Sequence, residues 1–257
     1  MSEQIEKEQI DTKIEKDKIY NCDCLEGMKH IPNASIDAII CDLPYGTTAN
    51  KWDSIIPLDL LWEQYKRIIK KGAPIVLFAQ QPFSTVLGMS NLDWLKYEWI
   101  WEKENGSNFL MAKYCPLKIH ENILVFYESQ PTYNPQMRQG FEPYKCRDKG
   151  SDANYGKIKG GVLSESNGER FPVDIVAYHR DADSFHPTQK PVDLLRYLIR
   201  TYSNEGDTIL DNCMGSGTTA VACIKEKRHF IGFELNKDYY DKACRRIDAE
   251  RRQLSLF

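Results

Sequence analysis

Asp42-Leu43-Pro44-Tyr45-Gly46 closes a short apolar run, and its residue types suit one kind of chemistry. Pro44 fixes its own φ and biases Leu43 away from the helical region, which sets the direction of the Leu43 carbonyl. A carboxylate, a carbonyl and a phenol ring are presented together. Two acceptors aimed at one point suit an NH2 group, and an adjacent flat ring suits a base stacked on it. A Pro-Tyr-Gly run also makes a plain strand-ending turn.

A second segment, Asp211-Asn212-Cys213-Met214-Gly215-Ser216-Gly217-Thr218-Thr219, leads from an apolar run into a helical pattern. Glycines at such a turn let a ligand approach the backbone closely, and a helix N-terminus favours negative charge. Glu234 ends the next apolar run seventeen residues after Gly217, where an acid can accept from two ribose hydroxyls. Gly215 to Ala220 also fits the GxGxxA form of the dinucleotide fingerprint, which by itself does not choose the nucleotide. A third segment, His186-Pro187-Thr188-Gln189-Lys190-Pro191, enters the helical pattern VDLLRYLIR. Pro191 suits a first helical turn, and Thr188, Gln189 and Lys190 offer donors for a carboxylate.

These segments need elements to position them. Seven short runs rich in β-branched residues and bounded by turn formers read as buried strands: 18–23, 36–42, 73–79, 97–103, 122–128, 208–214 and 229–235. Helical periodicity appears at 58–71, 191–203, 217–227 and 236–252. Strands alternating with helices predict a parallel sheet covered on both faces, with ligands beyond the carboxyl ends of its strands. The five tryptophans, Trp52, Trp62, Trp94, Trp99 and Trp101, read as core, and His120-Glu121 as a polar pair at the entry to a strand.

The chain has 257 residues, enough for one large α/β domain or two small ones, and its 42% hydrophobic and 28% charged composition excludes a disordered or fibrous chain. No apolar run reaches the ~18 to 20 residues of a membrane span, and the start lacks the apolar stretch of a signal peptide, so a cytoplasmic location is expected. Eight cysteines lie mostly in apolar segments and form no CxxC pair and no Cys/His cluster at metal-ligand spacing, so they read as reduced core thiols with no metal site. Net charge is −3, all of it supplied by an arm at 1–17 with six acids and three lysines, leaving room for a local basic face elsewhere.

From Ser129 to about Pro172 the periodicity stops. Arg138, Lys145, Arg147, Lys149, Lys157, Lys159 and Arg170 stand there against five acids, interleaved with Tyr133, Phe141, Tyr144 and Tyr155. Basic and aromatic residues together suit a nucleic-acid surface, and a long loop within a compact domain usually has a function.

DLPYG, then a strand ending WEK, then HPTQKP, then DNCMGSGTT and FEL, in that order, resemble the S-adenosylmethionine-dependent DNA amino-methyltransferases that modify adenine N6 or cytosine N4. The catalytic motif precedes the cofactor motif, as in their permuted beta group. The resemblance spans roughly 18–128 and 176–247. It implies a doubly wound, mostly parallel seven-stranded α/β sheet with circularly permuted motif order and an inserted recognition region. The expected parts are a charged arm at 1–17, a catalytic part at 18–128, a target-recognition insert at 129–175 and a cofactor-binding part at 176–257.

By the same resemblance Asp42 and the Leu43 carbonyl, set by Pro44, take the hydrogens of the target amine and Tyr45 stacks on the base. Leu43 stands where the family more often has proline, and its backbone carbonyl survives the change. S-adenosylmethionine is expected at Asp211, Met214, Gly215 and Gly217, with Glu234 on the ribose and Asp23 near the adenine. Thr188, Gln189 and Lys190 are expected at its methionine end. The loop at 105–109 is a candidate wall of the base pocket. The partner is double-stranded DNA, with a cognate restriction endonuclease and a homodimer as further candidates. The aspartate that opens the loop points to N6 of adenine. Alternatives are N4 of cytosine, an RNA base, a protein glutamine amide, a non-catalytic DNA-binding module, or a nicotinamide-dependent dehydrogenase; the last leaves DLPYG and HPTQKP without roles.

Overall fold

The computed structural model describes residues 13–46, 53–147, 150, 160–161, 163–182 and 188–254. The first part of the arm, Trp52, His186, Pro187, Lys149, Tyr155, Lys157 and Lys159 lie outside the described residues. Elements follow in the order β1 (Lys18–Tyr20), α1 (Cys24–Met28), β2 (Ala38–Asp42), α2 (Leu58–Ile68), β3 (Ile75–Ala79), α3 (Phe83–Met89), β4 (Leu95–Ser107) and β5 (Lys118–Phe126). They continue with β6 (Tyr144–Arg147), β7 (Leu163–Ser166), β8 (Ile175–Ala177), α4 (Val192–Tyr202), β9 (Thr208–Asp211), α5 (Thr218–Lys225), β10 (His229–Phe233) and α6 (Lys237–Leu254).

The main sheet has the order β1-β10-β9-β2-β3-β5-β4-β8. Central strand β3 is apolar along its whole length, and β2 up to its final Asp42, because both faces are covered. Ile39, Cys41, Ile75, Leu77 and Ala79 join a core with residues of α1, α2 and α3, whereas Ala38, Ile40, Val76 and Phe78 join a second core with α4, α5 and α6. That alternation is the period-two geometry of a strand.

The pairings β1·β10, β10·β9, β9·β2 and β2·β3 are parallel, while β5 runs antiparallel to both β3 and β4. Between 97–103 and 122–128 the chain has no helix to carry a crossover, so these runs pair as antiparallel neighbours. The sheet has eight strands where seven were expected: Ile175–Ala177 adds a parallel edge strand beside β4. At three residues, two of them exposed, this run is too short to register in a hydrophobic pattern.

α3 was also not expected. Phe83–Met89 contains Ser, Thr, Val and Gly, all weak helix formers, and it is held by burial of Phe83 and Leu87 rather than by propensity. Trp62, Trp99 and Trp101 are buried as expected. Cys24, Cys41 and Cys223 are buried free thiols, and Cys115 and Cys146 are exposed.

The chain divides into two compact units, and the smaller is Pro135–Val173. This is narrower than the stretch marked by composition, because Asn134 is bonded into the larger unit at the carbonyls of Arg200 and Ser203. In the smaller unit β6 and β7 pair antiparallel and Arg138 bridges Arg170. The Arg138 and Arg170 guanidiniums lie 5.0 and 5.3 Å from the Phe141 ring centre, and Arg170 lies 4.5 Å from that of Tyr144. Such stacking gives a small, mostly exposed hairpin an internal anchor.

Candidate active site

The parallel strands end together, and β1, β2, β9 and β10 deliver Asp23, Asp42, Asp211 and Glu234 to one cavity of about 500 Å³ in the larger unit. Leu43, Pro44, Tyr45, Thr188, Gln189, Lys190, Met214 and Gly215 line it as well. Gly217 does not. It caps α5 with φ +76°, and a Cβ there would meet the Ala243 Cβ at 3.2 Å, so its role is to let α5 and α6 approach.

On the glycine side, the turn after β9 is tied down from within. Asp211 Oδ1 accepts from the Cys213 N–H at 3.0 Å and Oδ2 from the Thr219 hydroxyl at 2.5 Å. Burial pushes the Asp211 carboxyl up to about 6 despite these bonds. Glu234 Oε2 accepts from the Gly215 N–H at 2.8 Å and Oε1 from the Asn236 N–H at 2.8 Å. The carboxylate is thus fixed by two backbone donors and keeps lone pairs for further donors. Burial raises it, and the two backbone bonds oppose that rise. Asp23 caps α1, accepting from the Leu25 and Glu26 N–H groups at 2.8 and 3.2 Å.

On the Asp-Leu-Pro-Tyr side, Asp42 Oδ1 accepts from the Tyr45 hydroxyl at 2.7 Å and Oδ2 from Lys190 Nζ at 2.6 Å. The Tyr45 ring stacks on Phe83, with centroids 5.4 Å apart and planes 23° apart. Gly46 has φ +66°, and its N–H donates to Asp53 at 2.8 Å. Gln189 donates to Asp181 at 3.2 Å, while Thr188 is exposed at the rim.

Lys190 was expected at the cofactor's methionine end; its ammonium instead sits between two carboxylates, Asp42 and Glu121. By sequence Glu121 reads as part of a strand-entry pair, yet it is buried at 8% exposure and lines the cavity. Antiparallel pairing puts the start of β5 beside the end of β3, and pairing with β4 sets Glu121 opposite Trp101 and diagonal to Lys103. The only advance signal was a charged residue opening an otherwise apolar run. Trp101 and Ser107 also line the cavity, both from β4, which extends through Ser107 where a loop at 105–109 was expected.

A sheet with this winding, a glycine turn and an Asp-Leu-Pro-Tyr loop facing one cavity define a protein that brings a nucleotide-like cofactor against an amine. Residues 36–245 match the N6/N4 methyltransferase family described as DNA methylase, and the chain belongs to that family. It is 29% identical over 254 residues to the DNA adenine methyltransferase YhdJ of Escherichia coli (strain K12), covering 90% of this chain and 82% of that one. Among solved structures it is similar to the M1.HpyAVI-SAM complex (TM-score 0.63, 22% identity, 89% of this chain and 98% of that one). It is also similar to the PvuII DNA methyltransferase, described as cytosine-N4-specific (TM-score 0.67, 13% identity, 90% and 86%).

Proposed function

We propose that the protein transfers a methyl group from S-adenosylmethionine to the exocyclic N6 of adenine in double-stranded DNA. The observation that carries this reading is a single cavity lined both by Asp42 and Tyr45, after β2, and by the Gly215 turn and Glu234, after β9 and β10. The cavity suits the cofactor: Glu234 is held by two backbone donors where a ribose would need a fixed acceptor, beside apolar Leu25, Met214 and Leu235. Asp23 would lie near the adenine, and Thr188 and Gln189 at the methionine end. When bound, S-adenosylmethionine supplies an electrophilic sulfonium methyl.

The work left to the side chains is alignment and proton handling. An exocyclic amine is a poor nucleophile because its lone pair is delocalised into the ring. Acceptance of its hydrogens by Asp42 and the Leu43 carbonyl favours the sp3-like nitrogen of the transition state. A methylated amine would carry an extra proton, which the Asp42 carboxylate would be placed to take. An in-line approach is impossible inside a stacked duplex, so the base must leave the stack. Tyr45, braced against Phe83, offers it a rigid replacement surface.

Adenine is preferred over cytosine on the loop's opening aspartate and on the name of the Escherichia coli relative; the PvuII likeness places no weight against it, since a shared fold does not choose the base. The compact unit Pro135–Val173 is proposed as the target-recognition part, supported by its exposed Lys145 and Arg147 and its stacked aromatics. The test is digestion of enzyme-treated DNA to nucleosides and mass spectrometry. N6-methyladenine is the expected product. N4-methylcytosine would overturn the choice of base, and no methylated nucleoside despite cofactor binding would overturn DNA as the acceptor.

A further inference from the structure

Four charged side chains form a single alternating row at the amine end of the cavity. Lys190 Nζ lies 2.6 Å from Asp42 Oδ2 and 3.1 Å from Glu121 Oε2, and Lys103 Nζ lies 2.5 Å from Glu121 Oε1. Side-chain exposure is 5% for Lys103, 8% for Lys190, 11% for Glu121 and 24% for Asp42. The row is neutral overall, yet removing four charges from water costs several kcal/mol per ion before pairing. Apolar side chains of the same size would pack such a site at least as stably. A row whose most exposed member is the residue facing the substrate therefore points to chemistry rather than to stability.

We propose that Lys190, seated by Glu121, is a positioning residue that keeps Asp42 ionised and aims its carboxylate at the amine to be methylated. The proposal rests on the reading of Asp42 as the amine acceptor. With Tyr45 on one oxygen and Lys190 on the other, rotation of the Asp42 carboxylate is blocked, and each oxygen retains a lone pair for the amine. Glu121 holds the ammonium in place, and Lys103 balances the charge of Glu121.

The charged and titratable groups that face Asp42 are Tyr45 on its own loop, Lys190, Glu121 on β5 with Lys103 behind it on β4, and Asp211 on β9. Burial raises Asp42, Lys190 opposes the rise, and Glu121 adds to it. Glu121 itself is held low: burial raises it, but Lys190 and Lys103 together outweigh that. Lys190 is held high, because the two carboxylates outweigh its own burial. Without the Lys190 cation, two buried carboxylates would face each other and one would take a proton. A protonated Asp42 would no longer polarise the amine as a full anion.

The experiment is the pH profile of single-turnover methyl transfer at saturating S-adenosylmethionine and DNA, with cofactor affinity measured separately by calorimetry. Lys190→Met is expected to slow transfer at neutral pH by tenfold or more and to move the acid limb up by about one pH unit or more. Its cofactor affinity should stay within about threefold of wild type. Lys190→Arg, which keeps the cation, should return the limb toward the wild-type position. Glu121→Gln should move the limb in the opposite direction, downward, because a negative charge has been taken from beside Asp42; packing alone produces no such opposed shifts. A Lys190→Met protein that binds cofactor tenfold more weakly but turns over at the wild-type rate, with an unmoved limb, would place Lys190 on the cofactor and overturn the proposal. Should Lys190→Met not fold, the near-isosteric Glu121→Gln decides: a limb unmoved or moved upward overturns it. Retained turnover in Asp42→Ala would instead overturn the assignment of Asp42 itself, a separate failure.

Discussion

Asp42 and Glu234 line one cavity from strands separated by β9, and their single replacements should separate chemistry from binding. Asp42→Ala is expected to lower single-turnover methyl transfer by a hundredfold or more while cofactor affinity changes by only a few fold, in line with the general scale of acid-base and electrostatic contributions. Glu234→Ala should weaken cofactor binding tenfold or more and leave transfer at saturation within a few fold. Calorimetry paired with rapid-quench assays checks both. Asp211 yields a pH-dependent outcome. Its folded value, about 6, lies above its ordinary 3.8, so between those values the folded chain binds more protons than the unfolded one and stability contributed by Asp211 falls as pH rises. Relative to wild type, Asp211→Asn should therefore gain about 1 kcal/mol in stability on going from pH 5 to pH 7. Urea melts of both proteins at the two pH values measure it; an unchanged difference would show that Asp211 does not carry a buried charge.

At the scale of elements, the site depends on which strand ends meet. β1, β2, β3, β9 and β10 run parallel and present their carboxyl ends to the cavity, and β5 brings its start to the same rim only because it runs the other way. The turn from β9 into α5 is sensitive to substitution. Gly217 has φ +76°, and a methyl group there would press on Ala243 and lie 3.5 Å from Ile247. Gly217→Ala is expected to destabilise the fold by ~1 to 2 kcal/mol, the ordinary cost of a left-handed conformation in a residue with Cβ. Denaturant unfolding checks the loss. A matching fall in cofactor affinity would follow from the shifted turn at Gly215.

At the scale of the whole molecule, the larger unit carries the cavity and the smaller carries a hairpin whose strands expose Tyr144, Lys145, Cys146 and Arg147. Lys145 has an exposed partner in Glu165, 3.1 Å away, a pairing too weak to hold it from a phosphate. If this unit meets DNA, replacing Lys145 and Arg147 together with Gln weakens binding across all sequences and flattens its salt dependence, by about 0.9 in log-log slope for each phosphate no longer neutralised. Fluorescence anisotropy at two salt concentrations reads this directly, and unchanged affinity at both would move the DNA surface elsewhere. Among the described residues no helix is long and apolar enough to cross a membrane.

Much of the layout was legible along the chain because it rests on short-range rules. The run 73–79 is continuous and apolar, and 36–42 and 208–214 are apolar at most positions, as strands buried on both faces have to be. Asp42, Asp211 and Glu234 stood out because each is an acid following the apolar part of such a run, and in an open parallel sheet those ends face the ligand. Other features depended on pairing between distant segments, which period and composition do not encode. The direction of β5, the eighth strand at 175–177 and the helix at 83–89 are products of packing against neighbours that the local sequence does not name. The clearest case is the row Asp42, Lys190, Glu121 and Lys103, whose members come from four separate stretches of chain. Read singly, Lys190 is a donor in a loop and Glu121 a polar strand entry. Only the antiparallel turn-back of β5, together with burial that forces each charge to find a partner, brings them to the carboxylate at the amine end of the cavity.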